Sequence, residues 1–264
     1  MKIGIFDSGL GGLIVARAIR KALSEYDYVY LGDTKRVPYG NRSHDAVFEF
    51  TKEGVDYLFR KENCAIVIIA CNTASARALR QIQQKYLVRN FPNRKILGVL
   101  IPAAEEAAKF ERVGVLGTLG TVSSGTFPKE IKKLNRNTKV FQNPAPMLVP
   151  LAEEGETKNA LPFIEKYLKL LIDKKPDAIV LGCTHYPIFK NQIRKILGRN
   201  IKVISQDEIV PKKLKEYFAR HPEISKKLSK NKTAKILVTD ITQSVNILTR
   251  RWFGAKTKPR LIQL

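Results

Sequence analysis

The chain has 264 residues, 44% of them hydrophobic, and its 47 Lys and Arg against 24 Asp and Glu give a net charge of +23. That length fits one large domain or two modest ones with a full core. No apolar run is long enough to span a bilayer, and three widely spaced cysteines exclude a disulfide framework and imply a reducing interior. No secretory leader precedes Met1-Lys2-Ile3-Gly4-Ile5-Phe6, so the expected address is the cytoplasm.

In chain order, Ile3–Phe6 reads as a strand that runs into Asp7-Ser8-Gly9-Leu10-Gly11-Gly12, a strand–turn–helix junction. Its glycines permit a tight turn, and the amides of a helix N-terminus attract anions. The spacing is not that of a dinucleotide fingerprint, and Asp7 taken alone reads as a helix N-cap. The amphipathic stretch Leu13–Tyr26 follows, then a strand at Tyr28–Leu31, a capping Gly32-Asp33-Thr34 and the loop Pro38-Tyr39-Gly40. Asp45–Arg60 reads as a helix, Ala65–Ala70 as a strand ending at Cys71-Asn72-Thr73, and Ala74–Tyr86 as a helix. Further strands are predicted at Lys95–Leu100, Arg112–Leu116 and Lys139–Phe141. Gly117-Thr118-Leu119-Gly120-Thr121, after the second of these, offers amides and hydroxyls suited to a carboxylate or phosphate, or is simply a turn. The helical stretch Phe163–Lys174 leads to a strand at Ala178–Leu181, then Cys183-Thr184-His185-Tyr186-Pro187, with Pro187 suited to a first helical position. Lys202–Ile204 and Lys235–Val238 complete the strands. Apolar strands alternating with amphipathic helices predict an α/β fold of doubly wound parallel sheets.

The two cysteine neighbourhoods look like copies. Cys183 lies 112 residues after Cys71, Pro150 lies 112 after Pro38, and Lys2–Ser8 echoes Arg112–Thr118 at an offset of 110. Near-constant spacing points to an internal duplication, against the alternative that buried parallel strands all read Val/Ile-rich. Strand C-termini share one edge of a parallel sheet, which brings Asp7-Ser8, Cys71-Asn72-Thr73, Thr118 and Cys183-Thr184-His185 to one cleft.

A pair of thiols could serve as nucleophiles, metal ligands, a redox couple or proton-transfer bases. A nucleophile needs one thiol with a base, so a mirrored pair is excessive. Zinc held by Cys71, Cys183, His185 and Asp7 is disfavoured, because Cys-x-His lacks a common zinc spacing. Acid–base use explains the pair best: one thiolate removes a Cα proton and the thiol on the opposite face returns one. A helix following each cysteine would lower its pKa. A positioned base supplies roughly 10²–10⁴-fold, so Asn72, Thr73 and Thr184 are needed as donors to the developing charge, and His185 could relay a proton. Cys64 and Tyr186 read as packing residues.

Charge is uneven. Residues 212–264 carry 14 Lys and Arg against 3 Asp and Glu. Such a patch permits weak, non-specific nucleic-acid binding, but few aromatics interleave it, and an ordinary lysine-rich surface is the preferred reading.

With Gly4–Leu13, Gly32–Thr34, Arg36–Gly40, Ala70–Ser75, Val149–Gly155 and Leu181–Pro187 taken together, the chain resembles the glutamate racemases of the aspartate/glutamate racemase superfamily. The resemblance implies a cofactor-independent enzyme that converts L-glutamate to D-glutamate for peptidoglycan and commonly dimerises. It implies two pseudo-symmetric α/β domains with the site between them, here 1–97 completed by 212–264, and 98–211. It assigns Cys71 to deprotonating the D enantiomer and Cys183 the L enantiomer, assisted by Asp7, Glu153 and His185. Ser8, Tyr39, Gly40, Asn72, Thr73, Thr118, Thr121 and Thr184 would hold substrate, with Asp7 and His185. Departures from the pattern are Ile101 for an acidic residue, Gly120 for Ala, Phe127 for Tyr, and Asn143-Pro144-Ala145-Pro146 for a Cys-Pro; none removes a catalytic position. The alternatives are a sister racemase acting on aspartate, or a non-catalytic anion- or nucleic-acid-binding protein that kept the fold and uses the basic C-terminal patch.

Overall fold

The computed structural model describes residues 1–264. Ten strands run in chain order: β1 (Lys2–Asp7), β2 (Tyr28–Gly32), β3 (Cys64–Ile69), β4 (Lys95–Gly98), β5 (Arg112–Gly117), β6 (Lys139–Pro144), β7 (Ala178–Gly182), β8 (Lys202–Ile204), β9 (Ala234–Val238) and β10 (Arg260–Leu261). They form two all-parallel sheets, ordered β10-β9-β2-β1-β3-β4 and β6-β5-β7-β8. The run β2-β1-β3-β4 has the same connectivity as β6-β5-β7-β8. The strands that precede Cys71 and Cys183 therefore occupy equivalent places, as the 112-residue spacing implied.

Central strands buried on both faces read as unbroken apolar runs. All six residues of β3 are buried, as are all five of β7. The first sheet packs one face on the helices Gly12–Ala22, Gln206–Arg220 and Gln243–Trp252, and the other on His44–Arg60. The second is covered by Leu161–Ile172 and Lys190–Leu197 on one side and by Leu100–Ala107 and Thr126–Leu134 on the other. The helix Gln206–Arg220 leaves β8 of the second sheet yet buries Val210, Leu214 and Phe218 in the first sheet's core. No helix is long and apolar enough to cross a membrane.

Several local expectations need correction. The fourth strand ends at Gly98, and Leu100 begins a helix whose third residue is Pro102, a position where a missing N–H costs no bond. The helix expected over Ala74–Tyr86 is broken: Asn72–Arg77 ends at Ala78, whose φ of −115° departs from helix, and Ile82–Leu87 is wound as a π-helix. The first helix stops at Ala22, and Tyr26 turns into the core. Pro187 is the second residue of a 3₁₀ turn, Tyr186–Phe189. The strand β10 had no sequence signal, since its two residues are exposed.

Among the groups that tie the C-terminal segment back is the buried carboxylate of Asp27. Asp27, between the first helix and β2, accepts from Asn231 Nδ2 at 2.7 Å, Thr233 N at 2.8 Å and Thr233 Oγ1 at 2.7 Å. Burial alone would raise its pKa, but hydrogen bonds from Ser229, Thr233 and Asn231 outweigh that and hold it below the ordinary carboxylate range. A depressed carboxyl adds stability above its unfolded pKa of about 4 and loses it as pH falls. Asp27→Ala should therefore cost about 1–3 kcal/mol at neutral pH and weaken the acid-induced loss of stability. Thermal unfolding from neutral pH downwards checks this; an unchanged midpoint at neutral pH would refute it.

Candidate active site

The C-terminal ends of β1, β3, β5 and β7 face one another across a cavity of about 430 Å³ between the two sheets. Ser8, Tyr39, Gly40, Cys71, Asn72, Thr73, Thr118, Glu153, Cys183, Thr184 and His185 line it. Each thiol has 5% of its residue surface exposed. Of the residues expected here, Asp7 and Thr121 stand behind the wall, fully buried.

Cys71 is the N-cap of the helix Asn72–Arg77. Its Sγ accepts from Ser8 Oγ at 3.2 Å and from Ala74 N at 3.4 Å. Burial, and then the Asp7 carboxyl, push this thiol up to about 12, against the pull of those two donors. The helix N-terminus thus fails to lower the pKa as expected, because desolvation is the larger effect.

Cys183 has different neighbours. Its Sγ lies 3.7 Å from His185 Nδ1, and His185 Nε2 lies 3.0 Å from Glu153 Oε1. Burial disfavours the imidazolium, but the bonds to Cys183 and Glu153 prevail and raise the His185 pKa well above its ordinary value. Trp252 meets the imidazole edge-on at 5.5 Å.

Asp7 is not a helix N-cap, since Gly11 occupies that position. Its Oδ2 accepts from Gly9 N at 3.0 Å, while Oδ1 is buried without a partner. Burial raises its pKa, against the opposing charge of His185. The turn after it is pressed against the Cys183 segment. A Cβ at Gly11 would lie 2.5 Å from His185 Nδ1 and 2.6 Å from Thr184 Oγ1, so only glycine fits.

Hydroxyls join the two halves. Thr73 Oγ1 lies 2.9 Å from Thr118 Oγ1 and 3.4 Å from Thr121 Oγ1, and Thr118 Oγ1 bonds Thr121 Oγ1 at 3.0 Å. Beside them, a Cβ at Gly120 would come within 2.8 Å of Gly40 O. Glycine at this position lets the Tyr39–Gly40 loop close on the second half.

Asp33 does more than cap a turn. It is fully buried and accepts from Arg36 Nε at 2.6 Å, Tyr39 OH at 2.5 Å and Thr239 Oγ1 at 2.9 Å. The Tyr39 hydroxyl is therefore committed to Asp33, while Tyr39 and Gly40 line the cavity. Sequence reasoning also missed an apolar rim of half-exposed Val37, Leu119 and Met147, which carry no motif. Tyr186 packs as expected, its hydroxyl donating to Gly117 O at 3.0 Å and Ala145 O at 2.8 Å.

The Asp/Glu/Hydantoin racemase family model matches residues 13–209. A glutamate racemase of Aquifex aeolicus is 36% identical over 266 residues, covering 99% of this chain and 97% of the relative. The crystal structure of a glutamate racemase from Francisella tularensis in complex with D-glutamate superposes with a TM-score of 0.88 at 29% identity, covering 99% of this chain and 97% of that one. That of a Bacillus anthracis glutamate racemase isoform gives 0.89 at 31% identity, covering 100% and 97%. Carried by a model match over most of its length and by relatives that span it almost end to end, the chain belongs to the Asp/Glu/Hydantoin racemase family.

Proposed function

We propose that this chain is a glutamate racemase that inverts Cα by proton transfer between Cys71 and Cys183. The carrying observation is the pair of thiols at equivalent strand ends, brought to one cavity with different partners on each side. A Cα proton must be taken from one face and returned to the other, so two opposed groups are the minimum.

In the D-to-L direction the Cys71 thiolate takes the Cα proton. The electron pair left on carbon spreads into the α-carboxylate. The Cys183 thiol then protonates the opposite face and becomes the thiolate. The reverse direction exchanges the roles. No electron leaves the substrate, and every proton resides on a side chain of this chain, so the scheme requires no cofactor. Thr73, Thr118, Thr184 and Ser8, with backbone amides at Gly40, are the proposed donors to the substrate's carboxylates. Asp7 and the His185–Glu153 pair set the charge behind the two thiols. The proposed lobes are 1–97 with 212–264, and 98–211, with residues 206–220 as the helix they share. Glutamate is preferred over aspartate because the full-length relatives bear that name and one was solved with D-glutamate. The product would be D-glutamate for peptidoglycan.

Proton NMR of L-glutamate in D₂O, with circular dichroism of the same sample, tests the reading. We expect the Cα proton signal and the optical activity to disappear together, and aspartate to exchange far more slowly. No exchange of either amino acid by folded, reduced protein would overturn it.

Cys71→Ser and Cys183→Ser should each reduce racemisation at least about 10²–10⁴-fold without unfolding the chain. Near-native turnover in either variant, measured by the same dichroism assay, would sink the two-base scheme.

Glu153→Gln should also move the pH profile. Glu153 helps hold the proton on His185, so removing its charge lowers the His185 pKa. If the imidazolium supports the Cys183 thiolate, the alkaline limb of kcat shifts to lower pH. An alkaline limb that stays in place, with kcat merely scaled down, would remove His185 from the scheme.

A further inference from the structure

Outside the motifs, one buried side chain reaches the cavity wall from the second sheet's side. Gln206, the first residue of the helix Gln206–Arg220, is fully buried, and its Nε2 donates to Asn72 Oδ1 at 2.8 Å. Asn72 follows Cys71 directly, lines the cavity and is 2% exposed. Its Nδ2 and the Oε1 of Gln206 are buried with no partner. An amide carries a donor end and an acceptor end. Engaging the acceptor end of Asn72 leaves the donor end unpaired, and an unpaired buried donor is costly until an acceptor arrives.

We propose that Gln206 is a positioning residue: it fixes the Asn72 amide so that Asn72 offers N–H, and not its carbonyl, to a carboxylate of the substrate. This rests on the racemase reading. Hydrogen bonding across 134 residues joins the two halves at the residue beside the first base. The charged groups around the pair are already engaged. Asp207 is bound by Lys190, and Glu208 by Lys190 and Arg194. On the Asn72 side, Cys71 is held by Ser8, and Arg77 by Ser123.

Gln206→Glu discriminates because its introduced carboxyl has the same shape and two hydrogen-bonding states. Protonated, it donates to Asn72 Oδ1 as Gln206 does. Ionised, it can only accept, which rotates the Asn72 amide and turns an oxygen toward the substrate carboxylate. We expect the ratio of variant to wild-type KM for glutamate to be near one at low pH. It should rise about 10- to 100-fold with pH, the worth of one hydrogen bond to a charged group, while the kcat ratio changes less. Taking ratios cancels the titrations of Cys71, Cys183 and His185 common to both proteins. Gln206→Leu, with neither state available, should show a raised KM whose ratio does not vary with pH, and it stands in should the glutamate variant not fold. A pH-independent KM ratio for Gln206→Glu, or a lowered kcat at unchanged KM in either variant, would overturn the assignment while leaving the racemase reading intact. A wild-type chain that exchanges no Cα proton would overturn both.

Discussion

A parallel sheet places the C-terminal end of every strand on one edge, and this constraint decides where the chemistry of the chain lies. Here it acts twice, through two four-strand units of identical connectivity. Turned toward each other, the two edges put the residues after β1, β3, β5 and β7 around a single cavity. Nothing else in the fold would bring Cys71 to the same cavity as Cys183, 112 residues away. The apolar strands thus do two jobs. Their burial holds each sheet between helices, and their register fixes the height at which each polar residue emerges.

Equivalent placement has not given equivalent surroundings. Cys71 has a hydroxyl, a helix amide and a buried carboxyl behind it. Cys183 has an imidazole backed by a carboxylate. Burial and the Asp7 carboxyl disfavour the Cys71 thiolate; in the proposed reaction the substrate's ammonium would oppose that, whereas the opposite thiol has a permanent partner in His185.

The alternation of strand and helix, the doubled cysteine motif and most of the cavity wall were legible in the sequence, because each rests on a local pattern. Apolar runs at β3 and β7 mark buried parallel strands, and the polar residues after them mark the edge. The rest depends on contacts between distant segments. Asp33 looked like a cap because its partners Tyr39 and Thr239 meet it only in the folded chain. Gln206 has no motif at all, and its place beside Asn72 follows from the return of the helix after β8. The lowered thiol pKa expected at Cys71 from the helix N-terminus was overridden by burial, which a sequence does not show. The basic C-terminal segment is partly absorbed by folding: Lys235 pairs with Glu62, and β9 joins the first sheet.

The helix that carries Cys71 at its N-cap belongs by sequence to the first sheet, yet it and the segment after it are bonded along their length to the second half. Asn72 is held by Gln206, and Thr73 by Thr118 and Thr121. Ala76 O accepts from Thr126, Arg77 reaches Ser123, and Arg80 pairs with Glu130. Several of these bonds would have to break together for the halves to part along this line.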